Sequence, residues 1–364
     1  MTPPKQDASM SQLLTYSRQD CFKTCRKKHW WAYEMKIRPV QDARALRMGR
    51  VWHSALELLV VSLAAAVDCI RQAYRCCPEQ FDEADWNYEC ETLVRLVCGY
   101  AWRWENDGLE YIATEKGFDL GLENPATGKP TPVFRLAGKI DGIVKLEDGR
   151  LAVMEHKTIG ESIDSDAPLW RRLRLDHQIS YYVNAARRLG YDVATVLYDV
   201  ARKPVIKPAN MPLTDSDGLP VVTDRNNVRV LTQQGKPRKT GNKEKGYTLN
   251  TREMTVSEWG TKLNDDIAAR PEFYYARVEV PRLDSDLEEC SHEGWQIQKT
   301  IREAQLNGWW FRTVGRETCK FCAYFDFCDS GFNPSIDPMP EGFEVINNPH
   351  PELETDNGNS TTAE

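Results

Sequence analysis

The chain has 364 residues, 41% of them hydrophobic and 10% aromatic, enough for one large packed domain or two modest ones. Its longest apolar run, residues 55–67, is interrupted by Glu57 and Ser62 and is too short to span a bilayer. No signal-peptide hydrophobic region opens the chain, so the expectation is a cytoplasmic protein with no membrane partner. The net charge of −7 at first disfavours a nucleic-acid partner, but residues 331–364 hold seven acidic residues and no Lys or Arg. That stretch accounts for the whole net charge, and a neutral body can still carry a basic groove. Eleven cysteines, an odd number, point to reduced thiols or metal ligands rather than a disulfide framework.

In chain order, residues 1–10 read as a disordered N-terminus and 11–330 as a single domain. Its N-terminal part, 11–108, is predicted helical. Ser11–Ile37 reads as a helix or helix pair with Ser17 as candidate N-cap; residues 41–77 form one strongly helical segment, and residues 80–106 a second. His53 and Glu57 share a face there by i,i+4 spacing. Residues 109–204 alternate strands with a helix. Strands are predicted near Tyr111–Leu120, over Leu136–Leu146 and over Leu151–Thr158, the last two joined at Asp148-Gly149, a turn pair that closes hairpins. Leu169–Leu189 reads as one helix, with Gln178 and Tyr182 on one face, and Val193–Val200 as a further strand. Residues 205–252 are loop-like; Arg225–Arg252 holds eight Lys or Arg and one acid, Glu244, which suits either a DNA-contacting arm or a solvated insertion. Residues 253–330 carry a helix over Glu253–Arg270, a strand over Phe273–Val280 and a helix over Asp286–Asn307. Residues 331–364 read as an acidic disordered tail.

The hairpin carries the chemistry. Asp141 lies on its first strand, Glu155 and Lys157 on its second, and residues two apart on a strand face the same way. Two carboxylates and an ammonium suit hydrolysis of a phosphodiester assisted by a hard divalent cation, with the lysine stabilising developing charge or orienting water. An exposed hairpin with an i,i+2 ion pair would show the same short pattern.

The second constellation is Cys319, Cys322 and Cys328, a C-x2-C-x5-C run that indicates a metal or cluster. Three thiolates leave a four-cysteine site one ligand short. Cys25 is the best candidate for the fourth and Cys21 its competitor; zinc and a 4Fe-4S cluster are not separable by ligand count.

Together these motifs make the chain resemble the PD-(D/E)XK nucleases of RecB type, and more closely the iron–sulfur subgroup of AddB-like and small CRISPR-adaptation nucleases. The resemblance covers roughly residues 13–204 and 316–328. Gly49–Glu57 matches the helical histidine motif, Gly138–Asp141 the GxxD motif, Glu155–Lys157 the (D/E)xK motif and Gln178–Tyr182 the QxxxY motif; Cys25 with Cys319, Cys322 and Cys328 matches the single-plus-three cysteine pattern. Arg26 stands where proline commonly follows the first cysteine, and Ile140 precedes the acid where the family name has proline. The resemblance implies an α/β fold: a restriction-endonuclease-like core with a mixed central sheet flanked by helices, a helical N-terminal region and an iron–sulfur-stapled C-terminus. It implies that His53, Asp141 and Glu155 ligate Mg2+ or Mn2+ with the His156 carbonyl assisting, that Lys157 orients or activates the water, and that Gln178 and Tyr182 position DNA. The implied activity is a metal-dependent DNA exonuclease acting on single strands or duplex ends in recombination and repair, in a bacterial or phage-infected cell, beside a helicase or single-strand annealing protein. The alternatives are a CRISPR-adaptation nuclease trimming DNA ends and a vestigial iron–sulfur adaptor that only binds DNA.

Overall fold

The computed structural model describes residues 11–353; the N-terminal residues 1–10 and the last part of the expected tail, 354–364, lie outside the described residues. The chain opens with β1 (Gln12–Leu14), α1 (Tyr16–Thr24) and α2 (Arg26–His29), which continues as a π-helical turn at Trp30–Glu34 before β2 (Ile37–Pro39). The expected cap at Ser17 is corrected to Thr15, whose side chain accepts from the Arg18 N–H; Ser17 itself already lies within the helix. Residues 41–77 are two helices, α3 (Arg44–Leu59) and α4 (Leu63–Ala73), because Ser62 caps a new start with its own side chain. The long α5 (Glu83–Arg103) begins at Asp82.

Three strands follow: β3 (Glu110–Glu123), β4 (Pro130–Lys145) and β5 (Leu151–Ile159). Between the last two, Gly149 takes a positive φ of 87°, a conformation glycine adopts without strain. The helix expected over Leu169–Leu189 is corrected to α6 (Pro168–Leu173) and α7 (His177–Arg188), because the Asp176 carboxylate caps a fresh N-terminus by accepting from the Gln178 N–H. After β6 (Val193–Arg202), the loop-like insertion contains two small ladders, β7 (Met211–Pro212) with β10 (Thr251–Arg252) and β8 (Val222–Thr223) with β9 (Thr248–Leu249). Then come α8 (Val256–Ala269), started by a Thr255/Glu258 capping box, α9 (Pro271–Tyr274), β11 (Tyr275–Pro281), α10 (Asp284–Asn307), α11 (Arg316–Lys320), α12 (Phe325–Ser330) and β12 (Phe343–Val345).

The central sheet runs β1-β4-β5-β6-β11, with β3 paired along the other edge of β4. It is mixed: β5 and β6 are parallel, β4–β5 and β6–β11 antiparallel. The parallel pair needs a crossover, which α6 and α7 supply. They pack on one face through Ile179, Val183 and Ala186 against Val153 and Val196. Helices α3, α4, α5 and α8 cover the other face around Trp52, Leu93, Val97 and Trp259. The fold is thus the expected mixed sheet flanked by helices.

Two buried ion pairs fasten the helical parts. Arg47 donates to both Glu89 oxygens at 2.8 and 3.0 Å, and Arg18 donates to Glu34 at 2.9 Å. The expected disorder from residue 331 is corrected for residues 331–353. Strand β12 pairs antiparallel with β2, Phe343 packs on Tyr324 and Phe327, and Glu352 accepts from Thr15 Oγ1 at 2.8 Å. The acidic composition had hidden the apolar anchors Phe332 and Phe343 and the free edge of β2. Among the described residues no helix is long and apolar enough to cross a membrane.

Candidate active site

The site sits where the sheet forks. Strand β4 pairs with β5 only from Gly142↔Met154 to Lys145↔Leu151; at its other end the same edge pairs with β1. Asp141 and Glu155 are the first residues beyond the last β4–β5 pair, so their strands diverge with the two carboxylates at the crotch. The divergence frees the His156 N–H from the ladder, and it donates to Asp141 Oδ2 at 2.9 Å.

Helix α3 brings His53 over this fork, its Nδ1 3.4 Å from Asp141 Oδ1. Burial alone would lower the imidazole's pKa; the Asp141 charge and hydrogen bond, helped by Glu155 and Glu115, outweigh it and raise it to about 9. Asp141 shows the converse. Burial pushes its carboxyl up, but His53 and the His156 N–H hold it below the usual carboxylate range. Glu155 is 2% exposed, and burial raises its pKa against the pull of Lys157.

Glu155 and Lys157 share a face as expected, Lys157 Nζ donating to Glu155 Oε1 at 2.9 Å. Gln178 and Tyr182 stand one turn apart on α7; Gln178 Oε1 accepts from Lys157 Nζ at 2.5 Å, and Gln178 Nε2 donates to the Tyr182 hydroxyl at 3.4 Å. The structure therefore brings His53, Asp141, Glu155, Lys157, Gln178 and Tyr182 into one cluster of side chains.

Three participants were missed from the sequence. Asp176 lies 3.8 Å from Lys157 Nζ and accepts from the Tyr16 hydroxyl at 3.0 Å. Asp199 anchors the His156 ring at 2.6 Å and is itself held by Tyr100 at 2.6 Å and Arg277 at 2.8 Å, a buried shell that fixes β5 behind the fork. Glu115 lies between Thr114↔Gly142 and Lys116↔Ile140 in register, opposite Asp141, in an ion pair with Lys139. Its φ of 47° is uncommon for a non-glycine residue inside a strand. No sequence signal marks it, because a polar residue on an alternating strand is ordinary.

The donor set fits a hard divalent cation. His53, Glu115 and Asp141 offer ligand atoms all within 4.8 Å of one another, and Glu155 Oε2 is buried with no hydrogen-bond partner. An unpartnered buried carboxylate oxygen is unfavourable on its own, and a cation would satisfy it. If Glu115 is a ligand, Glu115→Gln should weaken Mn2+ binding by about tenfold or more in calorimetric titration, with the fold intact by circular dichroism. Unchanged affinity would leave it as the partner of Lys139 alone.

Residues 13–329 match the family model of the PD-(D/E)XK nuclease superfamily. The chain belongs to this superfamily. As a PD-(D/E)XK nuclease it is a hydrolase whose relatives use divalent metals, in agreement with the donor set at the fork. The solved structure of SSO0001 is similar at 12% identity over 87% of this chain and 98% of that one, with a TM-score of 0.27; so low a score bears on neither fold nor function. No curated protein matches the chain.

No disulfide joins the cysteines among the described residues. Cys25 lies buried between α1 and α2, and its Sγ accepts from the Thr313 N–H at 3.4 Å. Burial raises the pKa of the Cys322 thiol; among the described residues the three-ligand grouping within 4.8 Å is the one at the fork, not one of these cysteines. Cys319 lies in the last turn of α11, and its carbonyl accepts from the Cys322 N–H at 3.1 Å. Cys21, the competitor, packs with Trp31, Tyr324 and Phe327, and burial pushes its thiol up to about 12.

Proposed function

We propose that the protein is a metal-dependent DNA exonuclease of RecB type carrying a 4Fe-4S cluster, acting on single strands or duplex ends in recombination or repair. The observation that supports it most is the fork: two carboxylates, a histidine and a lysine converge where a buried carboxylate oxygen lacks a partner. His53, Asp141 and Glu155 hold Mg2+ or Mn2+, with the His156 carbonyl assisting. When bound, the metal polarises the phosphoryl group and lowers the pKa of water. Lys157, steadied by Glu155 and Gln178, orients the water and donates to the charge developing on the phosphate. Gln178 and Tyr182 position the strand beside it.

Cys25, Cys319, Cys322 and Cys328 hold the cluster, with zinc as the alternative. Its role is structural, since hydrolysis moves no electrons, and it staples the C-terminal segment to α1. The setting is a bacterial or phage-infected cell, with a helicase or single-strand annealing protein as partner. The intact ligand set argues against a vestigial DNA-binding adaptor, and the insertion at 205–252 against a small CRISPR-adaptation nuclease. The test compares end-labelled linear DNA with a covalently closed circle of the same sequence in Mg2+. Mononucleotides or short oligonucleotides should leave the linear form while the circle persists; rapid nicking of the circle would refute the exonuclease assignment.

A further inference from the structure

Helix α10 ends at Gly308, which takes a φ of 68°, and the chain then runs beside α2. Trp310 turns inward there: it stacks on His29 at 5.4 Å and meets Phe22 edge-on at 6.5 Å. The Phe311 carbonyl accepts from the Lys27 N–H at 3.0 Å. With 310 inward, its neighbours point outward, leaving Trp309 76% and Phe311 50% exposed. Phe321, a dozen residues on and between Cys319 and Cys322, is 82% exposed.

Large rings left in water forgo the burial that normally favours them. These rings are also interleaved with cations. Between residues 309 and 321 stand Arg312, Arg316 and Lys320 against one acid, Glu317. The Arg26 guanidinium lies 4.3 Å from the Phe311 ring centre and Lys320 Nζ 4.8 Å from that of Phe321. Neither Arg312 nor Lys320 makes an ion pair among the described residues, and buried Arg26 Nε has no hydrogen-bond partner.

We infer that this face is a binding platform for single-stranded DNA, with bases stacking on Trp309, Phe311 and Phe321 and phosphates meeting Arg312, Arg316 and Lys320. Ring faces and cations in alternation match the chemistry of an unpaired strand, whereas a duplex keeps its base faces stacked internally. The platform is connected to the fork by α1. Tyr16 at its start contacts Asp176 beside Lys157, and Cys25 follows its last residue, about 14 Å along the helix axis, a span of a few nucleotides. The inference rests on the reading of the chain as a DNA nuclease, and it names the form of DNA.

The test uses the full-length protein in EDTA and reads fluorescence anisotropy of labelled oligo(dT) and of a fully paired hairpin. Trp309→Ala and Phe321→Ala should each weaken oligo(dT) binding at least about fivefold, leave hairpin binding within about twofold, and be rescued in the first case by Trp309→Phe. Equal losses on both DNAs, or no loss on oligo(dT), would overturn the platform; the second result is also what a protein-docking face would give. Hydrolysis of a small chromogenic thymidine phosphodiester in Mg2+, which cannot reach the platform from the fork, should be unchanged in both variants. An inactive wild type that still binds oligo(dT) through Trp309 would sink the nuclease reading and leave the platform standing. An active enzyme whose variants bind like wild type would sink the platform alone.

Discussion

Lys157→Ala should lower DNA cleavage by at least about 100- to 1,000-fold, the loss seen when one donor aimed at developing charge is removed. The reason lies in how that ammonium is held. It donates to Glu155 at 2.9 Å and to Gln178 at 2.5 Å, with Asp176 at 3.8 Å, so three groups from two elements fix one nitrogen. The lysine side chain is 24% exposed and lies at the open end of the β4–β5 fork, so the variant should keep its circular dichroism spectrum. Asp141→Ala should be equally inactive, by loss of a ligand. Cleavage at the wild-type rate in a folded Lys157→Ala protein would remove Lys157 from the reaction, whatever the metal does.

The second large effect concerns the cysteines. Cys322→Ser should abolish the brown colour and the iron content of an anaerobically purified protein, expected at about four irons per chain for a cubane on four thiolates. It should also lower Tm. The proposed cluster would link Cys25 to the Cys319–Cys328 run and close a loop that contains most of the domain, and a cross-link over about a hundred residues or more is worth about 4–5 kcal/mol of chain entropy. A fall of about 5–10 °C is therefore expected, measured by scanning calorimetry. The drop stops short of unfolding because Trp31, Phe327 and Phe343 already pack the two ends together and β12 pairs with β2. A colourless wild type with one zinc would keep the nuclease core and remove the cluster; Cys322→Ser with unchanged metal content and Tm would place the metal elsewhere.

Much of the site was legible because it obeys short periods. Glu155 and Lys157 sit two apart on a strand, Gln178 and Tyr182 four apart on a helix, and Asp148-Gly149 turns the hairpin between the two carboxylates. Each of these is a local rule, and each is found as read. The features that escaped depend on cross-strand register or on backbone hydrogen bonds made far along the chain. Glu115 matters only because β3 places it opposite Asp141 with a left-handed φ. Asp199 reads as one polar position in an apolar strand, and its role appears only when Tyr100 and Arg277 from other elements reach it. The break between α6 and α7 was hidden by continuous helical periodicity and is set by the Asp176 cap. The order in residues 331–353 was masked by acidity, which describes the surface of that segment and not the two phenylalanines that anchor it.

The most direct test of the account is hydrolysis of end-labelled linear DNA by the wild type and by Asp141→Ala, each in Mg2+ and in EDTA. A metal-dependent nuclease built on the β4–β5 fork predicts product only from the wild type in Mg2+. Equal cleavage in EDTA, or cleavage by folded Asp141→Ala, would contradict it.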